Sequence, residues 1–211
     1  MRTKAIFFDV DGTILPFEGV IRKLQETCKH FGVRVLTKNE ILKYTIGYKI
    51  TESIPKLLPE TKKFIDEFTE YYRCIYNKDA KSIKPFPYVK RIFRWIKKRR
   101  IKLGIITTKS TTQAETTLKY YKLPYDTLIS GDDVKKTKPD PEPIIKACSR
   151  LEVKPENCFF IGDHPFDMLA AKSAGCKAIG VLTGWGNRKN LKDSGADYII
   201  KDLRVLKKLI K

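Results

Sequence analysis

Short apolar runs recur along the chain and alternate with stretches whose apolar residues follow helical periodicity. Two of the runs, at 127–129 and 198–200, are short and predict outer strands. Strands that alternate with helices predict an α/β fold with a doubly wound, Rossmann-like parallel sheet and right-handed crossovers. Four longer runs are almost continuously apolar, which is typical of parallel strands covered on both faces: 5–8, 103–106, 158–161 and 178–182. The helical patterns between the runs lie at 88–98, 111–121, 141–151 and 166–174.

Residues 16–84 interrupt this alternation, because they contain helical patterns and no convincing strand. The sequence therefore predicts a core formed by 1–15 and 85–211, with an all-helical cap of residues 16–84 inserted after the first strand. The alternative is that these helices cover one face of the sheet. Their position directly after the first strand and its carboxylates favours the cap. The helical patterns of the segment are 20–31, 49–58 and 62–77.

The composition is that of a folded protein, since 42% of the 211 residues are hydrophobic, enough for a full core. No apolar run approaches the roughly 20 residues that span a bilayer. The apolar run before Asp9 is also shorter than the about 7–15 residues of a secretory signal, so we expect a cytoplasmic protein without a membrane partner. The five cysteines form no CxxC pair, which favours buried thiols over a zinc site or disulfides.

The chain is strongly basic, with 43 Lys and Arg against 24 Asp and Glu and a net charge of +19. Such an excess occurs in nucleic-acid-binding proteins, in proteins that attract anionic substrates, and on the Lys-rich surfaces of heat-adapted proteins. The basic residues form short, dispersed clusters and no long basic tail. This dispersal favours a solvated surface, so that nucleic acid is the less favoured partner.

Polar clusters follow the ends of four predicted strands, at the edge where ligands bind in open α/β sheets. In the first cluster, Asp9 and Asp11 are two residues apart in an extended segment and project to the same side. One carboxylate can attack phosphorus, while the other protonates the leaving oxygen and then activates water. Gly12 permits a turn that brings backbone N–H groups towards an anion. A functionless Asp-Gly turn has the same local pattern.

The other three clusters supply hydroxyl groups, a cation and further carboxylates. Thr107 and Thr108 precede a helix whose N–H groups can bind an anion, although Ser and Thr are also ordinary helix caps. Lys138, held before a proline, can keep a cation fixed over a phosphate. Asp163 follows its strand as Asp9 follows the first, so we expect these two carboxylates to share a Mg²⁺ ion.

Taken in this order, the motifs resemble those of haloacid dehalogenase superfamily phosphatases, most of all the phosphoglycolate phosphatase branch with a helical cap. The resemblance covers nearly the whole chain. It implies that Asp9 is the nucleophile, that Asp11 is the general acid and base, and that Mg²⁺ is the cofactor. Mg²⁺ would bind Asp9, Asp163 and the backbone carbonyl of Asp11, with Asp167 supporting these ligands. The implied phosphate- and substrate-binding set is Gly12, Thr13, Thr107, Thr108 and Lys138.

Two positions depart from the family pattern, and one histidine lies apart from it. Thr108 stands where the family often has Asn, and His164 stands where Ser or Thr is usual. Contact with substrate and a surface role are both open for His164. His30 lies in the first helix of the predicted cap, and we expect a structural role for it.

The expected reaction is the hydrolysis of a small phosphorylated metabolite, with phosphoglycolate as the candidate that the resemblance suggests. Asp11 argues against the dehalogenase branch, which does not need to protonate an alkoxide. A sugar-phosphate phosphomutase uses the same core residues and is the alternative, and a basic nucleic-acid-binding protein is a more distant one. Specificity is expected in the cap around Tyr44, Tyr48 and Lys49, in the cluster that also holds Lys43 and Gly47, although an exposed helix connection fits this cluster equally.

Overall fold

The fold is built around a parallel six-stranded sheet in a computed structural model that describes residues 3–210. Met1, Arg2 and Lys211, which the two predicted core segments include, lie outside the described residues. The predicted doubly wound α/β fold is confirmed, and both short runs form the outer strands. The strands are β1 (Ala5–Phe8), β2 (Lys102–Ile106), β3 (Thr127–Ile129), β4 (Cys158–Gly162), β5 (Lys177–Val181) and β6 (Tyr198–Ile200), in the order β3-β2-β1-β4-β5-β6.

Helices cover both faces of this sheet. They are α1 (Glu18–His30), α2 (Lys38–Tyr44), α3 (Ile50–Leu57), α4 (Ile65–Lys78), α5 (Val89–Lys98), α6 (Thr111–Tyr120), α7 (Glu142–Arg150), α8 (Pro165–Ser173), α9 (Arg188–Asp193) and α10 (Leu206–Leu209). Ile6 and Phe8 of β1 face the apolar core shared with α5 and α6, whereas Ala5 and Phe7 face the core shared with α7 and α8. This alternation explains why β1 is apolar at every position.

The helices α1 to α4 lie in the predicted cap segment, in which the structure has no strand among residues 16–84. Their apolar side chains, such as Leu24 of α1 and Phe68 of α4, belong to the same buried cluster as the sheet face covered by α5 and α6. The division into a core and an inserted cap therefore stays a prediction. Within residues 3–210, no helix combines the length and apolarity needed to cross a membrane.

Several helix boundaries differ from the sequence expectation. The pattern at 62–77 forms a 3-10 helix, Pro59–Phe64, followed by α4, because Pro59 starts a tight turn before the α-helix begins. Three short helices, α2, α9 and α10, were not predicted. Two of them begin with reciprocal side-chain capping, by Thr37 and Glu40 in α2 and by Asn187 and Asn190 in α9.

The order of the strands positions the functional residues. The chain winds from β1 outward to β3, and then returns to the other side of β1 to form β4, β5 and β6. Beyond the carboxyl ends of β1 and β4 lies the point where the winding direction changes, which is where doubly wound sheets bind ligands. Asp9 and Asp163 stand on the two sides of this point, and the Asp9 N–H donates to the Ile161 carbonyl at 2.9 Å.

Gly104 of β2 offers a test of how closely this sheet is packed. A Cβ atom added there would lie 2.5 Å from Cδ1 of Phe7 and 3.0 Å from Cγ2 of Thr127. We expect Gly104→Ala to lower the free energy of unfolding by about 1–3 kcal/mol, because the Phe7 ring has no room to move. Urea denaturation measures the change.

Two further variants test the cause of this destabilisation. Gly32→Asn is the control, because the position has φ +65° and nothing within 4 Å of an added Cβ, and Asn tolerates this conformation; it should change the free energy of unfolding by less than about 0.5 kcal/mol. Adding Phe7→Leu to Gly104→Ala should cost less than the sum of the two single changes. Strict additivity would contradict a clash between Phe7 and residue 104.

Candidate active site

Three buried carboxylates converge at the edge where β1 and β4 end. Among the described residues, Asp9, Asp163 and Asp167 form the cluster in which three carboxylate oxygens lie within 4.8 Å of one another. Asp9 and Asp163 directly follow their strands, whereas Asp167 lies in the first turn of α8. Such a set of hard oxygen donors suits a divalent cation. The expectation that Asp9 and Asp163 lie together is therefore met by the geometry.

Asp163 is held in one orientation by groups from two other segments. The Thr13 hydroxyl donates to its Oδ1 at 3.1 Å, and the backbone N–H of Trp185 donates to its Oδ2 at 2.7 Å. Cβ atoms on Gly12, which has φ +79°, and on Gly184 would collide with this carboxylate. Glycine at both positions is thus required for the carboxylate to approach the backbone of the two loops.

Lys138 places a cation inside this carboxylate cluster. Its Nζ lies 2.5 Å from Oδ1 of Asp9 and 2.7 Å from Oδ1 of Asp167, and the side chain is buried. Burial lowers the pKa of Lys138, but the charges of Asp167 and Asp9 outweigh this effect and hold the pKa above its usual value. The lysine therefore stays charged and directly contacts the predicted nucleophile.

One lysine does not balance three carboxylates in a buried site. Burial raises the pKa of Asp9 to about 7, because the opposing charge of Lys138 compensates only in part and Asp167 and Asp11 add to the increase. Burial, followed by the charges of Asp9 and Asp167, raises the pKa of Asp163 well above its usual value. Carboxylates in this state are stabilised by a metal cation, so that the donor set fits Mg²⁺.

Asp167 has little capacity left for a metal ion. Its Oδ1 pairs with Lys138, and its Oδ2 accepts the backbone N–H of His164 at 2.9 Å. The role that the resemblance implies for Asp167, support of the metal ligands, stays a prediction.

Asp11 has its own buried lysine, which sequence reasoning did not single out. Lys109 Nζ lies 2.9 Å from Oδ2 of Asp11 and 4.3 Å from the centre of the Tyr76 ring on α4. Burial lowers the pKa of Lys109, but the charge of Asp11 reverses this effect and the pKa is raised overall. The only signal in the sequence was its place beside Thr107 and Thr108, and 43 basic residues in the chain obscured it.

The hydroxyl segment between β2 and α6 lies on the same side of the sheet. Thr107 is buried and its Oγ1 accepts the backbone N–H of Lys109 at 3.2 Å, whereas Thr108 lines the cleft. Ser110 caps α6, because its side chain accepts the backbone N–H of Gln113. Thr108, Lys109 and Ser110 thus line the same cleft as Asp11, at the N-terminal end of α6.

A cleft of about 880 Å³, which includes space open to solvent, connects these residues to the predicted cap. Tyr48 and Lys49 line it together with Gly47. Tyr44 does not line the cleft and is 44% exposed. The expected specificity cluster is thus divided, because α2 ends at Tyr44 and directs the following turn, but not the helix itself, towards the strand ends.

The two histidines have different environments. His164 lines the cleft, its Nδ1 accepts the Phe166 N–H at 3.2 Å, and its ring packs against Phe166 and Trp185. Burial lowers its pKa, so the ring favours the neutral form. His30 stacks on Tyr71 of α4 with the ring centres 3.8 Å apart, an arrangement that fits its expected structural role.

Comparison with known proteins gives the family. The haloacid dehalogenase-like hydrolase family matches residues 6–181. Pyrophosphatase PpaX of Anoxybacillus flavithermus is 31% identical over 207 residues, which cover 96% of this chain and 94% of that protein. The named activity belongs to that relative.

Solved structures agree with the fold. A predicted phosphoglycolate phosphatase from Haemophilus somnus superposes with a TM-score of 0.89 at 22% identity, over 100% of this chain and 99% of the other. A Thermotoga maritima protein with a provisional β-phosphoglucomutase name gives a TM-score of 0.75 at 27% identity, over 99% and 100%. The family match over most of the chain and the relative at 31% identity together show that this chain is an enzyme of the haloacid dehalogenase-like hydrolase family.

Proposed function

We propose that this protein is a Mg²⁺-dependent phosphatase that hydrolyses a small phosphorylated compound through an aspartyl-phosphate intermediate on Asp9. The observation that carries the proposal is the cluster of Asp9, Asp163 and Asp167, with Lys138 paired to Asp9 and Asp167, at the point where the strand order reverses. This arrangement supplies a nucleophile, a fixed cation and a set of oxygen donors for a metal. The family membership supports hydrolysis as the reaction.

Mg²⁺ would be held by the carboxylates of Asp9 and Asp163 and by the backbone carbonyl of Asp11, with Asp167 supporting these ligands. When bound, it would neutralise negative charge on the phosphoryl oxygens. Lys138 and Thr107 would stabilise the same oxygens, with Gly12, Thr13 and Thr108 completing the phosphate-binding loop region.

The reaction then proceeds in two steps. A carboxylate oxygen of Asp9 attacks phosphorus, the bond from phosphorus to the leaving oxygen breaks, and Asp11 gives its proton to that oxygen. Asp11 next takes a proton from water, the water oxygen attacks the phosphorus of the aspartyl phosphate, and inorganic phosphate leaves. Asp9 is thereby regenerated as a carboxylate.

Two compounds are direct candidates for the substrate. Phosphoglycolate follows from the resemblance stated above, and pyrophosphate follows from the name of the relative at 31% identity. A phosphomutase reaction is the alternative, and the Thermotoga neighbour supports testing it. Release of inorganic phosphate from a panel of phosphorylated metabolites with Mg²⁺ tests the proposal, since a mutase would return an isomeric phosphate ester instead.

Asp9→Asn tests the nucleophile. An amide oxygen is a poor nucleophile, so we expect turnover of p-nitrophenyl phosphate with Mg²⁺ to fall by about 10³-fold or more and no phosphoenzyme to form. Acid-quench trapping with labelled substrate measures the phosphoenzyme. Asp193→Asn, at the exposed end of α9, is the matched control and should keep wild-type activity. Near-wild-type turnover by Asp9→Asn would refute the mechanism.

Asp11→Asn separates the two chemical steps. The p-nitrophenolate group leaves without a proton, so the phosphoenzyme should still form, while its hydrolysis slows by about 10²–10⁴-fold because no base activates water. Rapid-quench kinetics should show a burst of p-nitrophenol followed by slow turnover. A variant whose formation and hydrolysis steps slow equally would argue against a role of Asp11 in the second step.

The pKa values of Asp9 and Asp163 give a test of metal binding that does not need turnover. Both lie above those of the unfolded chain, so their contribution to stability in the metal-free protein is present below about pH 4 and is lost as the pH rises, for Asp9 through about 7. Mg²⁺ would bind in place of the protons on these two carboxylates. At 100 times its dissociation constant it should raise the melting temperature by about 5–10 °C at pH 8, and by less at pH 5.

Thermal denaturation with Mg²⁺, against NaCl of equal ionic strength, measures this effect. Asp9→Asn removes one carboxylate, so the metal-dependent increase should shrink, whereas Asp193→Asn should retain it. A Mg²⁺ effect that is equal at both pH values would show that the ion does not bind at these carboxylates.

A further inference from the structure

A second group of polar side chains, from α4 and α6, lines the cleft that holds Asp11. Asp11 Oδ1, the Thr69 hydroxyl and the Gln113 amide nitrogen are buried there without a hydrogen-bond partner. All three residues line the same cleft as Asp9 and Asp163. An unpaired buried polar group is unfavourable, so three in one cleft indicate a site that a ligand completes.

The orientation of Gln113 determines what this site can bind. Its Oε1 accepts the Ser110 hydroxyl at 3.2 Å, which fixes the amide so that Nε2 is the free end. The Tyr72 side chain lies beside the Gln113 amide in the same cleft. Gln113 is only 4% exposed and Thr69 only 5%. The site therefore presents the amide N–H groups of Gln113 and the hydroxyl of Thr69, both of which can donate.

Two cations also lie among these groups, and each is paired with a carboxylate. The Lys109 ammonium lies in the same part of the cleft, 2.9 Å from Asp11. Arg73, four residues after Thr69 on α4, also lines the cleft and lies 3.9 Å from the partly exposed Asp132. Donors next to a buried ammonium and a guanidinium suit a ligand group that is rich in acceptor oxygens and carries negative charge.

We propose that Gln113 and Thr69, with Lys109 and Arg73 beside them, form a subsite for an anionic group carried by the leaving group of the substrate. The proposal rests on the proposed function, because it takes Asp11 as the residue that faces the leaving oxygen. The substrate class is then a phosphate ester or anhydride whose leaving group bears its own phosphate or carboxylate. Specificity lies on α4 and α6, in addition to the turn at 47–49 that the sequence suggested.

The location of the subsite supports this assignment. Asp9, Lys138 and Asp163 line the same cleft and would contact the transferred phosphoryl group. Asp11 lines it together with Gln113 and Thr69, and its Oδ1 is the oxygen not paired with Lys109. A leaving group that faces Asp11 would share the cleft with these donors.

Gln113→Leu and Thr69→Val test the subsite, because each removes the donor while keeping a similar volume. Loss of a hydrogen bond to a charged group should lower kcat/KM for pyrophosphate or phosphoglycolate by about 10- to 100-fold. The value for p-nitrophenyl phosphate, whose leaving group has no second anion, should change by less than about threefold. Thr116→Val, on the solvent side of α6, is the matched control and should leave all three values unchanged.

Gln113→Glu serves as a second variant that preserves the shape of the side chain. It replaces a donor by a negative charge, so the loss for the two anionic substrates should exceed that of Gln113→Leu. The two substrates also identify the bound group. A larger loss of kcat/KM for pyrophosphate indicates a phosphate, and a larger loss for phosphoglycolate indicates a carboxylate.

Equal losses for all three substrates, or no loss for the anionic ones, would overturn the subsite while leaving the phosphatase proposal intact. Absence of turnover by the wild type with every substrate would overturn the proposed function instead. In that case, calorimetric titration with methylenediphosphonate decides the subsite: the wild type should bind it about tenfold or more tightly than Gln113→Leu, and equal binding would refute the assignment.

Discussion

The structure depends on placing three carboxylates and one lysine together in a buried site at the centre of the sheet. Asp9 and Asp167 contact the Lys138 ammonium and Asp163 lies beside these two carboxylates, which leaves negative charge that burial makes unfavourable. Their positions are fixed by the backbone: β1 and β4 are neighbours, and both end at the same edge. Apolar strands on both sides of this edge cannot relax to separate the charges. The site is therefore rigid, and its excess negative charge must be neutralised by protons on the carboxylates or by a bound cation.

The same constraint explains the small residues and loops around the carboxylates. Gly12 and Gly184 leave room for the carboxylate of Asp163, and the backbone of Trp185 supplies a donor to it. The loop after β5 thus contributes to a site that β1 and β4 otherwise build. This loop contributes the backbone N–H of Trp185 and, at Gly184, the space that a side chain would otherwise fill.

Each aspartate of the first motif has a separate lysine, and this pairing divides the cleft. Asp9 contacts Lys138, whereas Asp11 contacts Lys109, and both lysines are almost completely buried. The two carboxylates line one cleft, as their spacing predicted, but their partners lie in different loops. The Asp9 side carries the oxygen donors for a metal, and the Asp11 side carries the amide and hydroxyl donors of α6 and α4. Two chemically distinct halves of a substrate would fit these two sides.

The sequence predicted the sheet well because a strand buried on both faces is apolar at every position, as in β1 and β4. It missed α2 and α9 because six or seven residues are too few to show periodicity, and their caps are the only local signal. The same physical distinction applies to the site. Asp9 and Asp163 were found because each directly follows an apolar strand. No such position in the sequence marks the residues whose roles arise from tertiary contacts, which are Lys109, Gln113, Gly184 and Trp185.

The cleft has more acidic than basic side chains, whereas the whole protein is strongly basic. This difference affects how an anion reaches the site. The cleft is lined by five aspartates and four Lys or Arg side chains, although the chain carries +19 overall. Most of the excess charge therefore lies elsewhere; residues 80–114, for example, include eleven Lys and Arg and no Asp or Glu. A distant positive field raises the local concentration of anions at the protein surface. Close to Asp9 and Asp163 the carboxylates oppose the anion, so entry into the site itself must rely on Lys138, Lys109 and a bound cation.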